Sequence, residues 1–181
     1  MNTNITSYCA TILLAATALL NAGEPAAPKA ASQELERMKT LAGTWEGTTD
    51  MGAGPVEITA EYRVFAAGSV LEERVFPGTP NEMVTMYYDK DGKLALTHYC
   101  MLGNRPAMAL KASDAKSITF DFDGTCCTID PKKESHMHGM TIRFDDADTI
   151  TTSCKAIMDG KETPDHATTM KRVKSASVSA K

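Results

Sequence analysis

The sequence predicts an all-β domain of ten antiparallel strands, closed as an up-and-down barrel and preceded by one short helix. Three observations predict it. Strand-length runs of alternating apolar and polar residues follow one another from about residue 44 to 173, turn dipeptides such as Asp91-Gly92, Asp123-Gly124 and Asp159-Gly160 punctuate them, and only one stretch has a helical period. Short links favour antiparallel neighbours, and closing ten strands into a barrel removes the long edges an open sheet would leave.

The chain opens on an export signal. Residues 9 to 22 are mainly Ala, Leu, Ile and Thr, a run of about 14 that suits a signal peptide and falls short of the ~20 needed to span a bilayer. Leu20-Asn21-Ala22 offers a cleavage site, although the only positive charge ahead of the run is the terminal amine. Residues 1–22 therefore read as a signal peptide, 23–33 as a linker (GEPAAPKAA at its start), 34–173 as the barrel domain and 174–181 (KSASVSAK) as a disordered tail. Periplasmic or extracellular location follows from that signal. Cys9 precedes the apolar run, so no acylated cysteine is suggested.

Ser32 to Leu41 (SQELERMKTL) reads as the helix, with Ser32 as N-cap, Glu34 and Glu36 at the positive end of the dipole, and Leu35, Met38 and Leu41 as one apolar stripe. Gly43 ends it. The strand runs then lie near 44–50, 55–65, 69–77, 82–89, 93–102, 106–112, 117–123, 136–144, 149–158 and 164–173. In the second, Val56, Ile58, Ala60, Tyr62 and Val64 alternate with Glu57, Thr59, Glu61 and Arg63, one dry face against one wet face. In the third, Glu72 and Glu73 are adjacent, so one carboxylate faces inward, where Arg74 or a ligand would have to pair it, unless the strand lies where the barrel is open. The formal charge is −4 across 181 residues and no basic cluster stands out, which argues against nucleic acid as a partner.

Three of the four histidines fall on strand faces that read as apolar. His98 and Cys100 alternate with Leu94, Leu96 and Leu102, while His136 and His138 alternate with Met140, Ile142 and Phe144. His98, Cys100, His136, His138 and Met140 are accordingly expected to point into the barrel and contact a ligand. A His-x-His pair on a strand also suits a metal. If Ile142, Phe144 and Ile150 all face inward, the 145–149 hairpin sets Cys154 opposite Met140, and copper(I) or zinc could then use His136, His138, Met140 and Cys154. The alternative is that these groups are hydrogen-bonded interior polar residues that shape a cavity. After signal cleavage Cys100, Cys126, Cys127 and Cys154 remain, on or beside every second strand and so about 10 Å apart. One disulfide through the 126–127 loop stays open.

Leu41-Ala42-Gly43-Thr44-Trp45-Glu46-Gly47, a helix running into Gly-x-Trp on the first strand, resembles the opening of lipocalin-like, fatty-acid-binding-protein-like and nitrobindin-like barrels, the calycin group. Four stretches, Gly68 to Glu73, Tyr88 to Lys93, Thr97 to Asn104 and Ser135 to His138, resemble an uncharacterised family of exported bacterial proteins with such a barrel. The resemblance covers about residues 36 to 173. It implies that Trp45 packs at the closed end beneath Arg172, with Gly43 beside it. It also implies, through the nitrobindin-like members, that His166 is the candidate axial ligand of a haem, and the bottom-up alternative is an exposed or hydrogen-bonded His166.

The function expected is binding of a small, largely apolar molecule inside the barrel, with the ligand and any cofactor unidentified. A copper, zinc or haem protein is the second possibility, and an enzyme using Cys100 or His98 the third. No Gly-x-Ser-x-Gly, P-loop or Cys-x-x-Cys motif accompanies that third reading.

Overall fold

The computed structural model describes residues 30–174, apart from 51, 53, 126 and 127. Residues 1–22 (expected to be a signal peptide and including Cys9), the Cys126-Cys127 pair and the tail beyond residue 174 lie outside the described residues.

Among the described residues one α-helix, one 3-10 turn (Ala66–Gly68) and a closed sheet make up the structure. Helix α1 spans Gln33–Lys39, and the Ser32 hydroxyl caps it by accepting from the Leu35 amide at 3.1 Å. It is shorter than its sequence pattern because Thr40 to Ala42 continue as single turns, each amide donating to a carbonyl three residues back. Ten strands form the barrel: β1 (Gly43–Asp50), β2 (Pro55–Phe65), β3 (Val70–Val75), β4 (Met83–Lys90), β5 (Lys93–Tyr99), β6 (Ala107–Ser113), β7 (Ser117–Phe122), β8 (His136–Phe144), β9 (Thr149–Met158) and β11 (His166–Arg172). Each pairs with the next, and β9–β11 and β11–β1 close the ring. A two-residue strand, β10 (Lys161–Glu162), folds back on the end of β9 before β11 takes over the same edge.

The closed end is built around Trp45. Leu35, Met38 and Leu41 are buried over the barrel mouth against a core that includes Leu71, Leu94, Leu96, Phe120, Ile142 and Ile150. Polar ties hold the helix there. The Ser32 amide and hydroxyl donate to the Asp89 carboxylate, and the Arg37 guanidinium, stacked 4.0 Å over Phe144, donates to the carbonyls of Asp114 and Ala115. Trp45 Nε1 donates to the Leu41 carbonyl at 2.8 Å, and the Arg172 guanidinium lies 4.3 Å over the indole while donating to the Ala42 and Thr40 carbonyls. Gly43 sits at φ +128°, and a Cβ there would come within 3.1 Å of Arg172 Nη1.

Among the described residues no helix is long and apolar enough to cross a membrane.

Candidate functional site

Packing that fills the helix end leaves the other end of the barrel hollow. A cavity of about 440 Å³ opens there, framed by the β3–β4 and β5–β6 connections and by the ends of β8, β9 and β11. Ile58, Val75, Met83, Met137, Met140 and Met170 supply most of its apolar wall. Met101, Leu102 and Met158 are exposed at the rim.

A polar cluster forms one part of the cavity floor. β3 turns Glu73 inward and Glu72 outward, and Glu73 is 4% exposed. Arg74 is not its partner: that guanidinium points away and pairs with Glu82 at 2.5 Å. Adjacent strand residues face opposite sides, so a residue next to Glu73 cannot reach it. Instead Tyr62 from β2 donates to Oε1 at 2.5 Å and Tyr87 from β4 donates to Oε2 at 2.8 Å. Burial pushes the Glu73 carboxyl above its usual range, against the lowering effect of donated hydrogen bonds from Tyr62, Tyr87 and Thr85. Burial, followed by the Glu73 charge, drives both tyrosines well above 10, so they remain donors.

His98 joins the same cluster. Its Nδ1 lies 2.9 Å from the Thr85 hydroxyl, a hydrogen bond whose direction follows the tautomer of the ring. The other ring nitrogen, Nε2, has no hydrogen-bond partner among the described residues. Burial lowers His98 from 6.5 to about 4, so the ring is neutral. It therefore serves Thr85 and not Cys100, which lines the cavity two residues on. Cys154 lines the opposite wall as a free thiol pushed up to about 12 by burial and by the charges of Glu73 and Asp165. Neither arrangement activates a nucleophile.

His136 and His138 do not line this cavity, contrary to the alternation of their strand. Met137 pairs with Ala156 and Gly139 with Lys155, so two residues of β9 span three of β8 and His138 is the extra one. Past that bulge the facing reverses. Met140 and Met137, three apart, both reach the cavity, while His136 pairs with Ile157, whose neighbours Ala156 and Met158 face inward. His136 is nonetheless fully buried. Its ring and that of His138 pack on Phe122, with centroids 4.7 and 5.4 Å away. His136 Nδ1 donates to the Glu134 carbonyl at 2.6 Å, and its Nε2 meets His138 Nδ1 at 3.0 Å. The two sequence motifs do meet through the backbone, because Asn104 Nδ2 donates to the Ser135 carbonyl.

The metal set is separated by the same bulge. Met140 faces Cys154 across β8–β9, in the register the hairpin predicts, but both lie inside while His136 and His138 lie on the other face. Among the described residues no three His, Cys, Asp or Glu side chains are grouped to hold a metal ion. His166, the candidate haem ligand, is opposite Cys154 in register and sits exposed on the cavity rim.

Sequence patterning missed Thr85 and Tyr87 and placed Tyr62 only as a core residue. The Glu72-Glu73 doublet was the available signal. Gly139 inside a strand, with Met at spacing three rather than two, was the signal for the bulge.

The fold is shared with solved structures. The chain aligns with a protein of unknown function from the DUF3598 family of Nostoc punctiforme at a TM-score of 0.51 and 12% identity, covering 75% of this chain and 49% of that one. It thus spans about half the length of that protein. It aligns with Rv2717c from M. tuberculosis at a TM-score of 0.50 and 12% identity, covering 80% of this chain and 100% of that one. Likeness at this identity concerns the fold alone. No family model and no curated protein matches the sequence.

Proposed function

We propose that this chain is an exported carrier with a lipocalin-like barrel that holds a small, largely apolar molecule in the cavity. The observation that carries the reading is the cavity's composition. Its volume of about 440 Å³ lies within the span of small-molecule sites, and methionine and aliphatic walls surround a few fixed polar groups. Unbranched Met side chains adapt to the outline of a guest better than branched ones do. His98, Cys100 and Met140 contact the molecule on this reading, whereas His136 and His138 support the wall from outside it. Residues 1–22 provide the export signal.

Uptake of a neutral dye such as Nile red tests the cavity, together with native mass spectrometry of the chain purified from its own host. Ile58→Trp should fill the space and cut dye affinity by about tenfold or more, while His136→Ala leaves it within about twofold. Unchanged uptake by a folded Ile58→Trp variant would count decisively against the cavity as the site. Haem is the second reading, favoured by one observation, the His166 imidazole opening onto the cavity. An imidazole there suits an axial ligand. A haem mass in the native spectrum, lost in His166→Ala, would replace the apolar-carrier reading.

A further inference from the structure

We propose that the molecule held in the barrel is an apolar amine, bound as its ammonium cation with the charged end at Glu73. This rests on the reading of the cavity as a ligand site and names the chemistry of its occupant. Glu73 and His98 carry it. Both are more than nine-tenths buried and both line the cavity, Glu73 with carboxyl oxygens and His98 with an imidazole.

The hydrogen-bond inventory gives the direction. Each Glu73 oxygen accepts from one tyrosine and Thr85 counts as a third donor, while a carboxylate offers about four lone-pair positions, so room for one further donor is left. His98 Nε2, which has no hydrogen-bond partner among the described residues, adds a further acceptor when the ring's proton is on Nδ1. An ammonium brings three donors and no acceptor, which complements that set. A ligand carboxylate would bring only acceptors and a second negative charge.

Charge gives the same direction. Buried ions require partners, and Glu73 has hydroxyl donors but no cation. The adjacent Arg74 is turned outward to Glu82. Lys155, among the described residues the one Lys or Arg lining the cavity, is at the exposed rim with Glu162 at 3.2 Å and Asp165 at 3.8 Å. Two carboxylates against one ammonium leave this cluster beside the cavity wall net negative, which attracts a cation and repels an acid.

Calorimetric titration of the full chain with octylamine, octanol and octanoate near pH 7.5 tests the proposal, since the three share one tail and differ in charge. Octylamine should bind about tenfold or more tighter than octanol, in keeping with a hydrogen bond to a charged group, and octanoate weakest of the three. Glu73→Gln should bring octylamine to the level of octanol while octanol binding persists. The ranking is read on the unaltered protein, so it stands even if Glu73→Gln does not fold. Octanoate or octanol binding as tightly as octylamine would overturn the cation while leaving the apolar cavity standing. Failure of all three ligands together with Nile red would overturn the cavity reading as well.

Discussion

Glu73 and His98 show how two titratable groups in one buried cluster pull stability in opposite directions with pH. His98 is neutral when folded, with its pKa lowered from 6.5 to about 4, so the unfolded chain binds more protons between those values. Its contribution is therefore present above pH 6.5 and is lost as pH falls toward about 4, a total of about 3 kcal/mol. Glu73, raised above 4.5, does the reverse: its contribution is present below 4.5 and is lost as pH rises through its folded value. The other groups facing them, Tyr62, Tyr87 and the Cys154 thiol, stay protonated throughout that range. His98→Gln should remove the acid-side loss, so urea unfolding of wild type and variant should converge in sensitivity above pH 6.5 and diverge below it. A stability difference that stays constant from pH 7 to pH 4 would contradict a buried neutral His98.

At the scale of the element, one closure and one bulge decide the barrel. β1 meets β11 at Gly47, where a Cβ would stand 2.3 Å from the Thr169 carbonyl oxygen, a backbone atom that cannot yield. Gly47→Ala should cost about 3 kcal/mol or more, whereas Gly139→Ala, whose nearest atom would be 3.4 Å away, should cost much less. Thermal melts of the two variants check this, and equal losses would remove the close approach as the reason for Gly47. The closed end depends on Trp45, which is fully buried, hydrogen-bonded to Leu41 and covered by Arg172. Trp45→Ala should lose about 3 to 5 kcal/mol in chemical denaturation, and an unchanged midpoint would show that the indole does not close that end.

For the whole molecule, the division of labour is between a plugged end and a hollow end. α1 and the turn after it pack on the barrel through Leu35, Met38 and Leu41, and the cavity opens at the other end, beside the β3–β4 and β5–β6 connections. Export, on our proposal, delivers that barrel to an oxidising compartment, where the Cys100 and Cys154 thiols remain separate on the cavity wall. Expression of the full chain in a bacterial host should give a periplasmic species shortened by about 22 residues, checked by intact mass. A cytoplasmic protein with an uncut N-terminus would end the export reading.

The sequence by itself determined the architecture, because alternation and turn chemistry are local. Period-two patterning set Ile58, Ala60 and Tyr62 inward on β2 and Leu94, Leu96 and His98 inward on β5, and the five residues between Phe144 and Ile150 set Met140 against Cys154. Ser32 marked the helix start through its capping hydroxyl. Only the tertiary structure decided the site. A bulge adds a single residue without disturbing the apolar count of its strand, so strict alternation along β8 aims His136 and His138 at the cavity, and although Gly139 signals a bulge, only the pairing with β9 turns them away from it. Equally, Glu72 and Glu73 are identical side chains one position apart, and the register of β3 between β2 and β4 chose which of them meets Tyr62 and Tyr87. A polar cluster drawn from β2, β3, β4 and β5 exists only when the barrel curves those strands around one space, and no segment of the chain contains that information alone.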